Sequence, residues 1–578
     1  MHVSSGENPI PGLTRPLRPV RILGLAFLLG GLGLGLASPL QAQILPRTVE
    51  PERFDKRYQP LPTPKSRPRE PSRLPPPPKP APKREPGFVL KKIVFEGATA
   101  YPPGELQRAV RRALGRRVTL DQLQFIAEVL TRKYRNDGYI LSRVVVPPQK
   151  IEEEGVVRLQ VLEGYVDQVK FKGERRGPVR MLKRFRDAIL KSRPLHVEVL
   201  ERYLLLFNDQ PGVRARSILK ASEKTPGASE LTIVLEHRPV NARAGLDNRG
   251  SRFNGPVQAS ASLSVNSLLK LYERIRFDGV VTSQTDELRF FNGSVDLPVT
   301  NEGTRLFFSA SSASTQPGGG LELFNVDGDS TAFNLQLNHP VWRTRERNLS
   351  VSFGAGLINS ETTILNVTTA KDRVRFIRAG VTLDLVDRLR GINVFSLRWT
   401  QGLNLFNARE TGEPFLTRQF GESDFTRFDG EILRLQELFP RWNLLISSAW
   451  QVGLDNLLAS QEFTAGGPRF VRAYDASEIT GDSGATVLGE LQYTHPLNQP
   501  WLKSIQPYLF FDYGAVFHKR EPGRTVFFED IKSTGGGVRL NVNEWVSGYL
   551  EIGKPLDKIV SSEGDRDVRV FFGLTARY

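Results

Sequence analysis

Asp567-Val568-Arg569-Val570-Phe571-Phe572-Gly573-Leu574-Thr575-Ala576-Arg577-Tyr578 closes the chain and decides how the residues before it are read. Val568, Val570, Phe572, Leu574, Ala576 and Tyr578 fall on one side of an extended strand, with Arg569, Thr575 and Arg577 on the other. Side chains alternate across a strand, so one face is greasy and the other polar. A soluble sandwich would show such alternation too. What separates the cases is a combination: an export signal, no cysteine, an aromatic terminal strand and evenly spaced strands. From Asn241 onward there is no long amphipathic helix, and stretches of about ten residues alternate between turn signals. Val257–Val265, Arg274–Val281, Arg289–Leu297, Arg305–Ser311, Phe333–Leu337, Leu349–Phe353, Val374–Val386 and Asn393–Trp399 are examples, and Leu444–Val452, Pro507–Val516, Gly536–Val542 and Trp545–Ile552 continue the series. Residues 241–578 accommodate sixteen strands, about 21 residues for each strand with its connection, which suits an antiparallel membrane barrel.

Ahead of these strands the charge changes. Residues 88–240 hold 29 Lys/Arg against 18 Asp/Glu, whereas residues 241–578 are nearly neutral, within a total of +17 over 578 residues. A pI this basic raises nucleic acid as a partner, but no reader motif accompanies it and none is expected. Residues 88–240 read as strand, helix, helix, strand, strand, twice over. Phe95-Glu96-Gly97 returns as Phe171-Lys172-Gly173, and Val161-Leu162-Glu163 as Val234-Leu235-Glu236. We expect two related α+β modules, 88–164 and 165–240, the alternative being one α+β domain with chance similarity. Helices are expected at Pro103–Leu114, Leu120–Tyr134, Val179–Leu190 and Val197–Phe207. Strands are expected at Val89–Phe95, Tyr139–Val146, Val156–Leu162, Val166–Phe171, Ala215–Ala221 and Leu231–Glu236. A three-stranded sheet with one covered face has an open edge, to which an unfolded chain can add as a further strand.

Residues 1–42 have the form of a secretory signal: Arg15, Arg18 and Arg21, an uncharged run Ile22–Leu36, then Ser38-Pro39 and Ala42. The run is short of the ~20 residues a membrane-spanning helix needs. Residues 43–87 are rich in proline, including Pro75-Pro76-Pro77-Pro78, and read as a polyproline-like spacer; the composition of Val49–Tyr58 is compatible with a short helix. Cysteine is absent, which excludes disulfides, thiolate metal sites and a Cys nucleophile. Gly481-Asp482-Ser483-Gly484 is superficially like the nucleophile surroundings of a trypsin-like protease, but the six histidines offer no partner in sequence, and Glu152-Glu153-Glu154 lacks converging metal ligands. Neither enzyme activity, cofactor nor metal is expected.

One connection stands apart. Residues 456–483 contain Gly466-Gly467-Pro468-Arg469-Phe470-Val471-Arg472-Ala473-Tyr474, and Phe510-Phe511-Asp512-Tyr513-Gly514 follows within a strand. If Leu509, Phe511 and Tyr513 face lipid, Asp512 points into the lumen. A carboxylate there needs a cation, and Arg472 on an inward-folded loop supplies a two-pronged one. The bland alternative leaves Arg472 solvated at a loop tip and pairs Asp512 with a Lys or Arg of a neighbouring strand.

On these residues the chain resembles the two-partner secretion transporters, the TpsB branch (ShlB/FhaC/HecB family) of the superfamily that joins POTRA modules to a 16-stranded outer-membrane barrel. The resemblance covers about residues 88–578. Val471-Arg472-Ala473-Tyr474 is similar to the family's loop motif Val-Arg-Gly-Tyr/Phe, with Ala473 in place of Gly, at a tip where a positive φ would disfavour Ala. Asp512 matches the inward partner of the motif arginine. Asp247-Asn248-Arg249-Gly250 resembles the family's opening barrel strand, and Phe572, Leu574 and Tyr578 its terminal strand signal. The resemblance implies periplasmic POTRA modules and an outer-membrane barrel in contact with lipid. It implies a barrel inserted by the assembly machinery, working as a monomer, and a secreted TpsA-type client. A pore-plugging N-terminal helix, found in that family, stays open here. The alternative is an assembly factor of the same superfamily, which would usually carry more modules. A passive porin would not need a client-binding front of this size.

Overall fold

The computed structural model describes residues 46–54, 62–68 and 87–578, except 103, 152–154, 226 and 498. The signal-like leader, the four consecutive prolines and the Glu152–Glu154 turn lie outside the described residues.

The first module contains β1 (Lys92–Glu96), α1 (Glu105–Val110), α2 (Leu120–Asn136), β2 (Arg143–Val145) and β3 (Val156–Leu162). The sheet order is β1-β3-β2, with β1 parallel and β2 antiparallel to β3. Helix α2 starts where Thr119 accepts from the Gln122 amide and the Gln122 side chain accepts from the Thr119 amide, a reciprocal cap that satisfies two orphan donors. Its Leu123, Ala127, Leu130 and Tyr134 are buried at three- and four-residue steps against Val157, Leu159 and Val161. The expected strand Tyr139–Val146 shrinks to Arg143–Val145. Residues 139–142 turn instead, with the Ser142 amide donating to Tyr139 O, because the Tyr139 ring is held against Tyr101, Tyr134 and His196.

The second module repeats the plan with β4 (Val166–Gly173), α3 (Val179–Lys191), α4 (Val197–Asn208), β5 (Val213–Ala221) and β6 (Ser229–His237), in sheet order β4-β6-β5. The repeated triplets have a backbone cause. Gly97 and Gly173 sit at φ +82° and +86°, and a Cβ there would lie 2.6 Å from Val161 O and 2.2 Å from Leu235 O. Only glycine fits where the first strand of each module leaves its central partner.

The remaining chain is an antiparallel barrel of sixteen staves. The first six are β7 (Val240–Asp247), β8 (Gln258–Asn266), β9 (Arg274–Thr282), β10 (Arg289–Pro298), β11 (Arg305–Thr315) and β12 (Asp327–Arg343). Next come β13 (Arg347–Ile364), β14 (Val367–Val386), β15 (Ile392–Gly402), β16 (Thr426–Phe439) and β17 (Trp442–Gly453). The last five are β18 (Ser483–Tyr493, continued by His495–Pro496), β19 (Ser504–Phe517), β20 (Phe528–Asn541), β21 (Val546–Pro555) and β22 (Arg569–Arg577). Closure runs from Gly573↔Asp247 to Arg577↔Arg243. Leu246, Phe277, Phe291, Phe353, Leu509 and Phe572 are exposed on the outside, as lipid contact requires. Strands β12 to β14 reach 17, 18 and 20 residues, longer than the alternating runs that mark them in sequence. Their ends, such as Glu361-Thr362 and Lys371-Asp372, are polar on both faces, so alternation fades where the strands leave the apolar band.

The second module is seated on the near end of the barrel. Tyr272, in the β8–β9 turn, is buried in that module's core beside Phe207. Arg343 grips Asp209 through two hydrogen bonds of 2.7 and 2.8 Å, and Arg305 donates to Gln210 at 2.6 Å. The described parts of the proline-rich segment are bound to the barrel. Short 3-10 turns at Arg47–Val49 and Pro51–Arg53 lie inside the barrel's far half, where Phe54 packs on Val280, Leu288, Phe290 and Ala313. Residues 62–68 lie at the near end: the Ser66 amide donates to Asp384 at 2.9 Å and the Arg67 amide to Arg345 O at 2.8 Å. Barrel side chains and backbone supply the partners that a proline-rich chain cannot find within itself.

Candidate functional site: the inward loop

The long connection between β17 and β18 folds back into the lumen. A ribbon pairs Phe463–Ala465 with Ile479–Gly481. At its end Gly466 and Gly467 adopt φ +112° and +103°, and a Cβ on Gly466 would stand 2.2 Å from Asp475 O. The ribbon can therefore turn sharply and present residues 468–478 as a tip. Val471, Phe470 and Tyr474 are buried with Ala465, Leu488, Val516 and Ile531, which anchors the tip to the wall by apolar contact.

Arg472 is the polar centre of this tip. Its amide and Nε donate to Asp512 Oδ2 at 2.9 and 3.1 Å, and Nη2 donates to Oδ1 at 3.2 Å. Nη1 donates to Glu490 at 2.5 Å, and the guanidinium lies 3.7 Å from the Phe510 ring centroid. Alternation along β19 produces this: Leu509 and Phe511 are 66% and 51% exposed on the outer face, while Asp512 is 0% exposed. Among the described residues, Asp512 takes the loop arginine and no neighbouring-strand cation. Further lumen-facing side chains complete the cluster. Arg539 on β20 donates to both Glu490 oxygens at 2.6 and 3.0 Å, and Arg249 donates to Glu551 on β21 at 2.6 Å and to Arg472 O at 3.0 Å. Tyr508 donates to Glu551 at 2.7 Å. Three arginines face three carboxylates, so the cluster is charge-balanced, as burial demands.

Ala473 does not occupy a left-handed backbone position; Val471 does, at φ +57°. The left-handed position lies two residues before Ala473. The methyl of Ala473 instead meets the wall where Gly553 has no side chain; a Cβ added to Gly553 would stand 3.1 Å from it. Tyr474 OH donates to Lys558 O at 2.9 Å, and Arg569 donates to Ala473 O at 3.0 Å.

Asp247, Asn248 and Gly250 lie at the far end of the first stave. Asn248 donates to Val570 O at 2.9 Å and accepts from the Phe572 amide at 2.7 Å, extending the β22–β7 closure by one side chain. Asp247 accepts from the Arg249 amide, and a Cβ on Gly250 would overlap Gly255 O at 1.7 Å. Phe572, Leu574 and Tyr578 are exposed on the outer face, away from the loop, with Tyr578 stacked on Trp545. Arg249, Glu490, Arg539 and Glu551 belong to the cluster although the sequence reading assigned them no part in it. A lone carboxylate inside an alternating strand, as in Thr486-Val487-Leu488-Gly489-Glu490, is a signal that marks Glu490 as unusual, though not which residues it meets.

A second buried cluster fastens the loop's base. Arg418 donates to Asp482 at 2.5 Å and Glu462 at 3.0 Å, and Arg53 of the N-terminal segment donates to Glu462 at 2.9 Å. Asp482 also accepts from the Leu457 and Lys519 amides. Ser483 accepts from the Gly453 amide, so Gly481–Gly484 serves the strand start.

Residues 227–540 match the family described as haemolysin secretion/activation protein ShlB/FhaC/HecB, and residues 88–164 match the ShlB-type POTRA domain. The heme/hemopexin transporter protein HuxB of Haemophilus influenzae is 24% identical over 469 residues, covering 79% of this chain and 81% of that protein. The outer membrane transporter CdiB of Escherichia coli is 23% identical over 445 residues, covering 75% of this chain and 74% of its own. The structure of CdiB from Escherichia coli superposes with a TM-score of 0.69 at 20% identity, covering 89% of this chain and 94% of that one. The chain belongs to the ShlB/FhaC/HecB family, the TpsB outer-membrane transporters of two-partner secretion.

Proposed function

We propose that this transporter takes an unfolded TpsA-type partner from the periplasm by strand addition to the open sheet edges of its two modules and passes it outward through the lumen. The inward loop, held by Arg472 and Asp512, is the latch that occupies the path at rest and must give way during transit. The observation that carries this reading is the buried, charge-balanced cluster joining a loop tip to four consecutive lumen walls, β18 to β21. A barrel needing only mechanical strength would be served as well by apolar packing, since a buried ion pair seldom adds net stability over hydrophobic neighbours. A charged latch, in contrast, can be exchanged for water or for a polar client segment. Phe572, Leu574 and Tyr578 on the terminal strand fit recognition by the barrel-assembly machinery before insertion. The test is deletion of this chain in its host, followed by a census of the surface proteome. Loss of one large exported protein supports the proposal; a broad fall in barrel proteins would instead indicate an assembly factor.

A further inference from the structure

The lumen wall beside the barrel closure, next to the second module, is rich in arginine, and only part of that charge is met by carboxylates among the described residues. A cavity of about 410 Å³ opens there, lined by Arg238, Arg243, Arg276 and Arg577 together with Ser262 and Ser264. Glu544, the carboxylate of its lining, is already taken by Lys503 at 2.7 Å. Arg276 is chelated by Asp278 just beyond, and Arg577 donates to Ser547 at 2.8 Å. The side chains of Arg238 and Arg243 make no hydrogen bond or ion pair among the described residues. Arg243 and Arg577 are directly opposed in the β7–β22 register. Like charges so placed weaken a sheet, and folding alone gives no reason to keep them. Lipid is not their counter-charge, because Leu263 and Leu574 carry the outer face here while these arginines line the inner one.

Resting on the export reading above, we infer that this cavity is the first lumenal docking site for an acidic, extended segment of the exported partner, received directly from the second module. The placement is right for a hand-over: β6 ends at His237, Arg238 follows, and β7 begins at Val240. Guanidinium forks take carboxylates in two-pronged fashion. Ser262 and Ser264, alternate residues on the lumen face of β8, line the same wall; Ser262 already donates to Asp278, and the hydroxyl oxygens can accept from a passing backbone amide without asking for a particular side chain. Site and cargo are matched by charge, and the contact stays weak enough to release because the arginines are solvated.

The test uses the full chain in detergent and two labelled peptides, one rich in Asp and Glu and its Asn/Gln counterpart, with binding read by fluorescence anisotropy. The acidic peptide binds and its counterpart does not. The double variant R243Q/R577Q weakens the acidic peptide about ten-fold or more, as does raising salt to about 0.5 M. The single reversal R243E repeats the loss if the double variant fails to assemble, assembly being read as heat-modifiable migration. Equal binding of the two peptides, or unchanged affinity in an assembled variant, overturns the inference. Export of the partner in cells is measured alongside. Export without charge-selective peptide binding defeats the docking site alone, whereas peptide binding without export of any partner defeats the secretion reading and, with it, the cargo assigned to the cavity.

Discussion

Asp512→Ala would remove the acceptor of three hydrogen bonds from Arg472 while leaving the guanidinium among Glu490, Glu551 and the Phe510 ring. Breaking one partner of a buried pair costs roughly 3–5 kcal/mol, less where water reaches the site. The apolar grip of Val471 and Tyr474 remains, so the barrel should assemble with normal heat-modifiable migration while export falls about ten-fold or more. Asp512→Glu, which keeps the charge, should recover part of it. Full export by Asp512→Ala would show that the pair is ornamental. At this scale the sequence was informative in one direction. Alternation gave the face of Asp512, and the loop motif gave Arg472. Which lumen residues stand at the same height depends on the stagger between strands, which is a property of pairing, and for that reason Glu490, Arg539 and Glu551 could not be placed beside them.

Among the elements, the modules were the most legible, because Gly97 and Gly173 mark the same backbone constraint twice and the buried faces of α2 and α4 keep helical spacing. What stayed hidden is that the second module's core is completed from outside, by Tyr272 of a barrel turn. His237, at the end of β6, should make the junction sensitive to acid. Burial lowers its pKa below the ordinary histidine value of 6.5, with Arg176 acting in the same direction and Glu174 and Glu273 opposing. A base depressed on folding contributes stability that is complete above the unfolded value and is lost as pH falls through the folded one. Limited proteolysis within residues 165–240 should therefore increase between about pH 7.5 and about pH 5, and His237→Gln should flatten that dependence. Equal cleavage at both pH values in the parent chain would contradict this.

For the whole molecule, the described N-terminal pieces occupy opposite ends of the lumen: Arg53 bonded to Glu462 near the outside, Ser66 to Asp384 near the periplasm. Composition marks this segment as an extended spacer, since proline-rich chain has no core of its own; what composition does not show is that the barrel supplies the missing partners. Removing residues 46–54 should raise the conductance of the pore in planar bilayers, and Asp384→Asn should raise how often it opens by loosening the tether. Unchanged conductance after the deletion would mean that the segment does not obstruct ion flow.

The direct test of a conduit uses adjacent residues of one strand and the absence of native cysteine. Ser262 faces the lumen and Leu263 the outside. A cysteine placed at each in turn is probed against a cysteine in a partner stalled during export. The account predicts a disulfide to position 262 and none to 263. Cross-linking at 263, or at neither position while export proceeds, would contradict passage through the barrel.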